Sequence, residues 1–398
     1  MLKLSLIVLC LLLINVLCTD IQMQKKILLE ELLSLDVYDR QIKPGNNTDA
    51  ATTVSINLHI ISVSQIDDLK MLYTLDLFFR QEWTDERLQY NHQDIELLTL
   101  SDSHMIWVPD IFFPQEYKSY VHDVMESNTF VKINQNGTVF RSARLTLVLR
   151  CPMHFGRFPF DKHVCPLNIE SYKWKAGDIN LQWSEDPVTS TNEILSPLFN
   201  FDKYTIHGGL IATDIGEYSS LNLNLYFSRQ VKYYIVHLFI PCCLIFNVSC
   251  LASWLNPRLM TARVLVGLAS LFSLAMLILN FNRDTPRVPY PRSVDIFTGM
   301  CITFIFFTLV ETIFVHLSES KENESAALEA NGVDTKDDIE QNEKIIPKRN
   351  AITQMKEWLY ENHQSLNDID AASRVLFPIC FFIFIIIYSI TCAALNEA

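Results

Sequence analysis

Cysteine is scarce in the polar part of this chain. Of ten cysteines, Cys10 and Cys18 fall in the opening apolar run, and Cys242, Cys243, Cys250, Cys301, Cys380 and Cys392 fall in later ones, which leaves Cys151 and Cys165. Cysteine and histidine nowhere take metal-ligand spacing, and the 10 glycines nowhere form a phosphate-cradling loop. The residues therefore give an enzyme little support and imply no metal and no cofactor. His154 and His163 are read as surface histidines. Positive charge is also in the minority, 32 Lys and Arg against 45 Asp and Glu. A net charge of −13 fits a solvated exterior and argues against a nucleic-acid partner.

What the chain has instead is long apolar runs. The opening "MLKLSLIVLCLLLINVLC" carries one lysine near its start and no further charge, which reads as a secretory signal peptide over residues 1–18. Export supplies the oxidising compartment in which Cys151 and Cys165 become each other's partners. Closing so short a loop stabilises by about 3 kcal/mol if chain entropy is the cause. From Tyr233 the chain runs "YYIVHLFIPCCLIFNVSCLASWL", "VLVGLASLFSLAMLILNF", "IFTGMCITFIFFTLVETIFVHL" and finally "VLFPICFFIFIIIYSITCAAL". Each has roughly the 20 residues that cross a bilayer. Residues 231–317 thus hold three transmembrane helices and residues 373–398 a fourth, and the third carries one acid, Glu311. A cleaved signal puts the amino-terminal half outside, so residues 318–372 are cytoplasmic. That segment is acidic and low in large apolar residues as far as "ITQMKEWLYENH", which predicts flexible chain. Arg283, Arg287 and Arg292 fall in an extracellular loop, against the positive-inside tendency. They are read as functional, or as paired with Asp284 and Asp295.

Residues 19–230 are long enough for one substantial domain. It opens with "IQMQKKILLEELLSLDVYDR", in which Leu28, Leu29, Leu32, Leu33 and Leu35 recur at helical spacing, and Pro44-Gly45 punctuate the end. Alternating stretches follow: "TVSINLHIISV", "LYTLDLFFRQEW", "TVFRSARLTLVLR" and "LNLNLYF". Period two between turn residues predicts antiparallel strands in a sandwich. The expected fold is an α+β membrane protein: an extracellular antiparallel β-sandwich with an amino-terminal helix, then a four-helix transmembrane bundle. Asn46-Asn47-Thr48 and Asn136-Gly137-Thr138 are glycosylation sequons in the exported half, whereas Asn323-Glu324-Ser325 is cytoplasmic and silent. The loop "CPMHFGRFPFDKHVC" presents Met153, Phe155, Phe158 and Phe160 on an exposed hairpin. So much apolar surface needs a partner in the core or near the membrane.

Taken in order, "YDRQIKPG", "LFFRQEWTDERL", "WVPDIFF", the thirteen-residue loop with "FPFD", "ESYKW", "GEYSSL", "TARVLVG", "VPYPRSVDI" and "SRVLFP" resemble the Cys-loop family of pentameric ligand-gated ion channels. The likeness covers nearly the whole mature chain and leans to the anion-conducting branch of GABA, glycine and invertebrate glutamate receptors. It implies that the loop presses its tip on the outer ends of the membrane helices and carries agonist binding to the gate. Pro159 and Asp161 match the tip, and Arg229 and the "SQIDDL" stretch around Asp67 look like further coupling residues.

The resemblance also implies an agonist site between neighbouring subunits, where aromatic rings surround an ammonium group. Phe112, Glu170, Ser171, Tyr172 and Tyr218 match the principal face. Phe78 and Arg80, with Ser142 on a nearby strand, match the face across the interface. Arginine's fork suits a carboxylate and a serine hydroxyl adds a hydrogen bond, so the ligand is a small amine, with an amino acid such as GABA favoured. Ile215 stands where relatives have a hydroxyl, the tip "IATDIGEY" lacks cysteines, and "NHQDIELLTLSDSHMIW" supplies no second arginine, so acetylcholine or a biogenic amine stays open.

For the pore, the resemblance places Ala262 and Arg263 at the inner mouth, where cation-selective relatives have an acid. Five helix amino termini, each with roughly half a positive charge, would meet there and favour chloride. Leu265, Ala269, Phe272, Met276 and Leu279 fall on one helical face as the pore wall. The expected function is a subunit of a homo- or hetero-pentameric, neurotransmitter-gated chloride channel among the lipids of a plasma membrane. A non-conducting subunit that assembles with a relative is the alternative. An adhesion sandwich would not need an alanine- and serine-bearing second helix.

Overall fold

A computed structural model describes residues 21–34, 38–45, 50–101, 103–190, 198–256, 259–283, 285–330 and 363–397. The signal peptide, Asn46, Asp284 and residues 331–362 of the expected cytoplasmic segment lie outside the described residues. The chain forms two compact units. One holds the residues up to Met153 with Lys162–Arg229, and the other holds His154–Asp161 with the chain from Gln230 onward.

The first unit is a sandwich preceded by a helix over residues 21–32. Its larger sheet orders the strands β3 (Leu97–Leu100), β6 (Thr129–Asn134), β7 (Thr138–Arg150), β2 (Leu72–Thr84), β1 (Thr52–Asp67) and β9 (Ile179–Ser190), and β5 (Glu116–Val121) also pairs with β7. The smaller sheet runs β10 (Phe199–Thr213), β11 (Gly216–Arg229), β8 (Lys162–Ser171), β4 (Ile111–Phe112). Alternation decides which residues face the core. Val54, Ile56, Leu58 and Ile60 of β1 and Leu75, Leu77 and Phe79 of β2 are buried, as are Leu167 and Ile169 of β8 and Leu221, Leu223 and Leu225 of β11. Among the described residues the pairings are antiparallel with one exception, since β1 runs parallel to β9. His163 is not at the surface as expected; it is buried, with its ring 6.0 Å from that of Phe199.

The "WTDERL" stretch closes the end of β2 with a polar cluster. Asp85 is fully buried and accepts from the Tyr38 hydroxyl at 3.0 Å and from Arg87 Nε and Nη2 at 2.9 and 2.8 Å. Burial and the neighbouring Asp85 carboxylate push the Tyr38 hydroxyl well above the usual tyrosine range, so it stays neutral and donates. The same oxygen accepts from the Trp107 backbone N–H at 3.0 Å.

Among the described residues of the second unit, four helices are long and apolar enough to cross a membrane: Lys232–Ala252, Met260–Arg283, Ser293–Leu317 and Asp370–Ala394. The third continues as helix to Ala330 and the fourth begins at His363, so both reach into the segment expected to be flexible chain. The first has a π-helical turn at Ile235–Phe239, just before Pro241. A proline cannot donate to the helical ladder, and a widened turn next to it accommodates that gap. The second and third helices approach closely at Gly267, where an added Cβ would fall 2.2 Å from Leu309 Cδ2.

Replacing Asp85 with Ala removes the shared acceptor of Tyr38 and Arg87. The expected loss is about 3 kcal/mol, the low end for a broken buried pair because Arg87 is partly exposed. Thermal unfolding of the solubilised chain should show a clearly lower midpoint, with Asp85→Asn intermediate. An unchanged midpoint in Asp85→Ala would show that the cluster does not hold this end of the sandwich.

Candidate functional site

The residues expected on the two faces of the agonist site lie on different sheets of the sandwich. On the smaller sheet Phe112 pairs across from Glu170, and Glu170 from Ser220 on β11. The Phe112 and Tyr172 rings meet edge to face at 5.5 Å, and Tyr172 is 75% exposed. Tyr218 stands half-buried on β11 two residues before Ser220. Burial raises the Glu170 carboxyl above its ordinary value, with the Ser220 hydroxyl opposing the shift. The result is an open aromatic corner beside one carboxyl, a setting that attracts a cation.

Ser171 departs from its expected role. It is buried, its hydroxyl donates to Asp110 Oδ1 at 2.9 Å and accepts from the Trp174 backbone N–H at 3.2 Å. The Lys173 N–H also reaches Asp110, and the Tyr172 N–H bonds the Asp110 carbonyl at 3.1 Å. Ser171 and Asp110 thus fix the loop that carries Tyr172. Asp110 was visible in "WVPDIFF", but nothing in its spacing linked it to Ser171.

On the larger sheet, β2–β7 register pairs Arg80 with Ser142 and Phe78 with Arg144. Residues opposite one another share a face, so Arg144 joins Phe78, Arg80 and Ser142. No second arginine was found in the sequence stretch where it was sought; one stands instead on β7. Arg80 donates to Asn57 Oδ1 at 3.3 Å and lies 6.0 Å from the Phe78 ring centre. Arg144 Nε is buried without a hydrogen-bond partner. Ser142 is buried on this face, and Asn136 is exposed in the β6–β7 turn. Burial and then the Arg80 charge hold His59 below its ordinary value, so positive charge on this face comes from the arginines.

The Cys151–Cys165 disulfide is formed, and the tip it brackets, His154–Asp161, belongs to the membrane unit. Phe155, Phe158 and Pro159 are buried rather than exposed. The Phe158 ring lies 5.0 Å from Tyr234 of the first helix and 6.0 Å from Phe281 of the second. The Ser293 and Val294 backbone N–H groups, opening the third helix, donate to the Gly156 and Phe158 carbonyls at 3.0 and 3.2 Å. Asp161 is buried at the end of this segment. Arg229 pairs with Asp68 at 2.6 Å, whereas Asp67 turns to Lys70. Within the "SQIDDL" stretch it is thus Asp68, next to Asp67, that pairs with Arg229.

On the second membrane helix Arg263, Gly267, Ser270 and Leu274 are buried. Leu265, Ala269, Phe272, Met276 and Leu279 are exposed on the other side, and Ala262 is half-buried. Arg263 does not belong with the exposed stripe. Its guanidinium is 1% exposed and bonds the Leu255 and Ser253 carbonyls and Asp370 of the fourth helix at 3.0, 3.0 and 3.2 Å. At the other end Arg292 pairs with Asp295 at 2.8 Å and donates to Thr285 and Asn282, while Arg283 and Arg287 are exposed.

Known proteins share this arrangement in sequence. The family model described as neurotransmitter-gated ion-channel ligand binding domain matches residues 25–231, and that described as neurotransmitter-gated ion-channel transmembrane region matches residues 238–331. A glutamate-gated chloride channel of Drosophila melanogaster is 34% identical over 298 residues, 74% of this chain and 65% of the relative. Gamma-aminobutyric acid receptor subunit alpha-6 of Gallus gallus is 30% identical over 286 residues, 70% of this chain and 60% of the relative. The matched part spans less than two-thirds of either relative's length. With both family regions matched in order over the sandwich and the membrane helices, the chain belongs to the neurotransmitter-gated ion-channel family, a family of channels and not of enzymes.

Proposed function

We propose that this chain is a subunit of a pentameric, chloride-selective channel of the plasma membrane, opened by a small amino acid such as GABA. The observation that carries the reading is the second membrane helix, one face of which is covered by its own chain while the face with Leu265, Ala269, Phe272, Met276 and Leu279 is not. Five such faces around an axis make a pore wall, with Ala262 and no acid at the amino-terminal end. A relative named as a glutamate-gated chloride channel supports anion conduction, and one named as a gamma-aminobutyric acid receptor subunit supports an amino-acid agonist.

Agonist binds between subunits. Its ammonium group meets Glu170, Phe112, Tyr172 and Tyr218 of one subunit, and its carboxylate meets Phe78, Arg80 and Ser142 of the next. Arg144 beside Arg80 favours a ligand that carries a carboxylate over a bare amine such as acetylcholine. Binding reaches the gate through the disulfide loop with Pro159 and Asp161, and through Arg229 with the Asp67–Asp68 turn. A second reading, an accessory subunit, draws on the pore stripe, which offers no hydroxyl group. A ring of Phe272 makes a dry constriction that a homopentamer opens poorly.

Agonist-evoked current from cells expressing the chain alone, and with a related subunit, tests the reading. The reversal potential should follow chloride, and Ala262→Glu should move it toward the cation potential. A wild-type reversal that follows sodium would sink the proposal.

Glu170 gives a pH signature. A carboxyl raised by burial takes up its proton at a higher pH than an ordinary glutamate, so on acidification the ammonium loses its charged partner early. Agonist sensitivity should fall as external pH drops through that range, and Glu170→Gln should be insensitive to agonist and flat with pH. A mutant that keeps the wild-type pH dependence would remove Glu170 from the site.

Phe272→Ser should wet the constriction and give resting leak or roughly tenfold higher agonist sensitivity, equal to about 1.4 kcal/mol on the gating equilibrium. Unchanged leak and sensitivity at normal surface expression, with wild-type conduction established, would show that Phe272 is not the gate.

A further inference from the structure

At the end of the bundle where the second helix begins, three helices meet through charge. Arg263 is buried on the second helix, and Asp370, 6% exposed, is on the fourth. Arg263 Nη1 donates to Asp370 Oδ1, and Nε and Nη2 hold the carbonyls of Leu255 and Ser253 in the turn that follows the first helix. Asp370 Oδ2 accepts from Arg374 one turn along, at 2.6 Å. The Ser373 hydroxyl lies within hydrogen-bond distance of both the Asp370 carbonyl, at 2.9 Å, and Glu311 Oε1 of the third helix, at 3.0 Å. Every named side chain belongs to the same subunit.

A buried guanidinium requires a carboxylate. The backbone carbonyls around Arg263 supply acceptors without full charge, and Asp370 alone among its bonded partners supplies the charge. Ala262 directly precedes Arg263, so whatever fixes the Arg263 guanidinium also fixes the first turn of the second helix. We propose that Asp370 is a positioning residue for the inner mouth: through Arg263 it holds the amino-terminal turn of the second helix and sets where Ala262 stands. This rests on the channel reading. It adds that the fourth helix, which carries none of the exposed second-helix stripe, controls the geometry of the inner end without touching a permeating ion.

The test places a cysteine at Ala262 in the full chain, in inside-out membranes, and follows its labelling by a charged, membrane-impermeant thiol reagent. The chain without Ala262→Cys sets the baseline. Asp370→Asn should change the labelling rate roughly threefold or more, within the coupling seen between residues in contact. Combining it with Arg263→Gln should add little, because both break one pair. Arg374→Gln, which leaves the Arg263–Asp370 bond in place, should change the rate less. Where Asp370→Asn does not reach the membrane, Arg263→Lys is read in its place, since lysine keeps the charge but loses the fork. Labelling unchanged by these variants, or additive effects in the double variant, would overturn the proposal. Labelling needs no current, so a shift in a chain that passes none supports the positioning role while counting against conduction by this chain alone. In conducting channels the iodide-to-chloride permeability ratio should shift with Asp370→Asn and return with Asp370→Glu.

Discussion

Two phenylalanines, Phe155 and Phe158, are fully buried on a loop whose ends belong to a different compact unit. Burial of each contributes about 2 kcal/mol; the Phe158 ring lies beside Tyr234 and Phe281 of the membrane helices, and Phe155 packs on Phe158. The chain therefore leaves the sandwich after Met153, gives eight residues to the membrane unit and returns at Lys162. The disulfide holds β7 and β8 together at the point of departure, so the tip is free to be apolar while the base stays part of the sheet. Backbone bonds from Ser293 and Val294 to the tip carbonyls add direction to what burial alone would leave loose. The placement of the third helix start, and of the aromatic residues opening the first, follows from serving this one segment.

Much of the architecture was readable because it rests on periodicity. Strands with period two, four long apolar runs and a lone pair of exported cysteines each have one physical interpretation. Register does not. Alternation in β2 and β7 tells which residues share a face within a strand, yet only the pairing of Phe78 with Arg144 reveals a second arginine beside the first. The parallel β1–β9 contact was invisible for the same reason. Arg229 pairs with Asp68, and which of two adjacent aspartates meets a distant arginine is something no spacing rule resolves. The Ser171 hydroxyl bonds Asp110, a partnership that a serine in a sequence does not disclose.

Arg263 illustrates a different failure. Its phase on the second helix, four residues before Gly267 and seven before Ser270, put it on the buried side. Charge argued for the pore, and the fourth helix, more than a hundred residues away, decided otherwise through Asp370. A charge at a membrane boundary is stabilised by whichever carboxylate the fold supplies, and that partner was too distant in sequence to be foreseen.

The widened turn before Pro241 has a geometric consequence of its own. In an α-helix a four-residue step overshoots a full circle by about 40°, so residues repeated at that interval spiral slowly around the cylinder. Tyr234, Leu238 and Cys242 follow that interval across Ile235–Phe239, and all three are nonetheless buried. The same interval continues to Phe246 and Cys250 in the regular helix beyond, which are buried too, so one buried stripe runs through the turn and past it. Removing a single residue from the turn would swing the part of that stripe beyond it by about a quarter of a revolution and turn it away from the side it now covers.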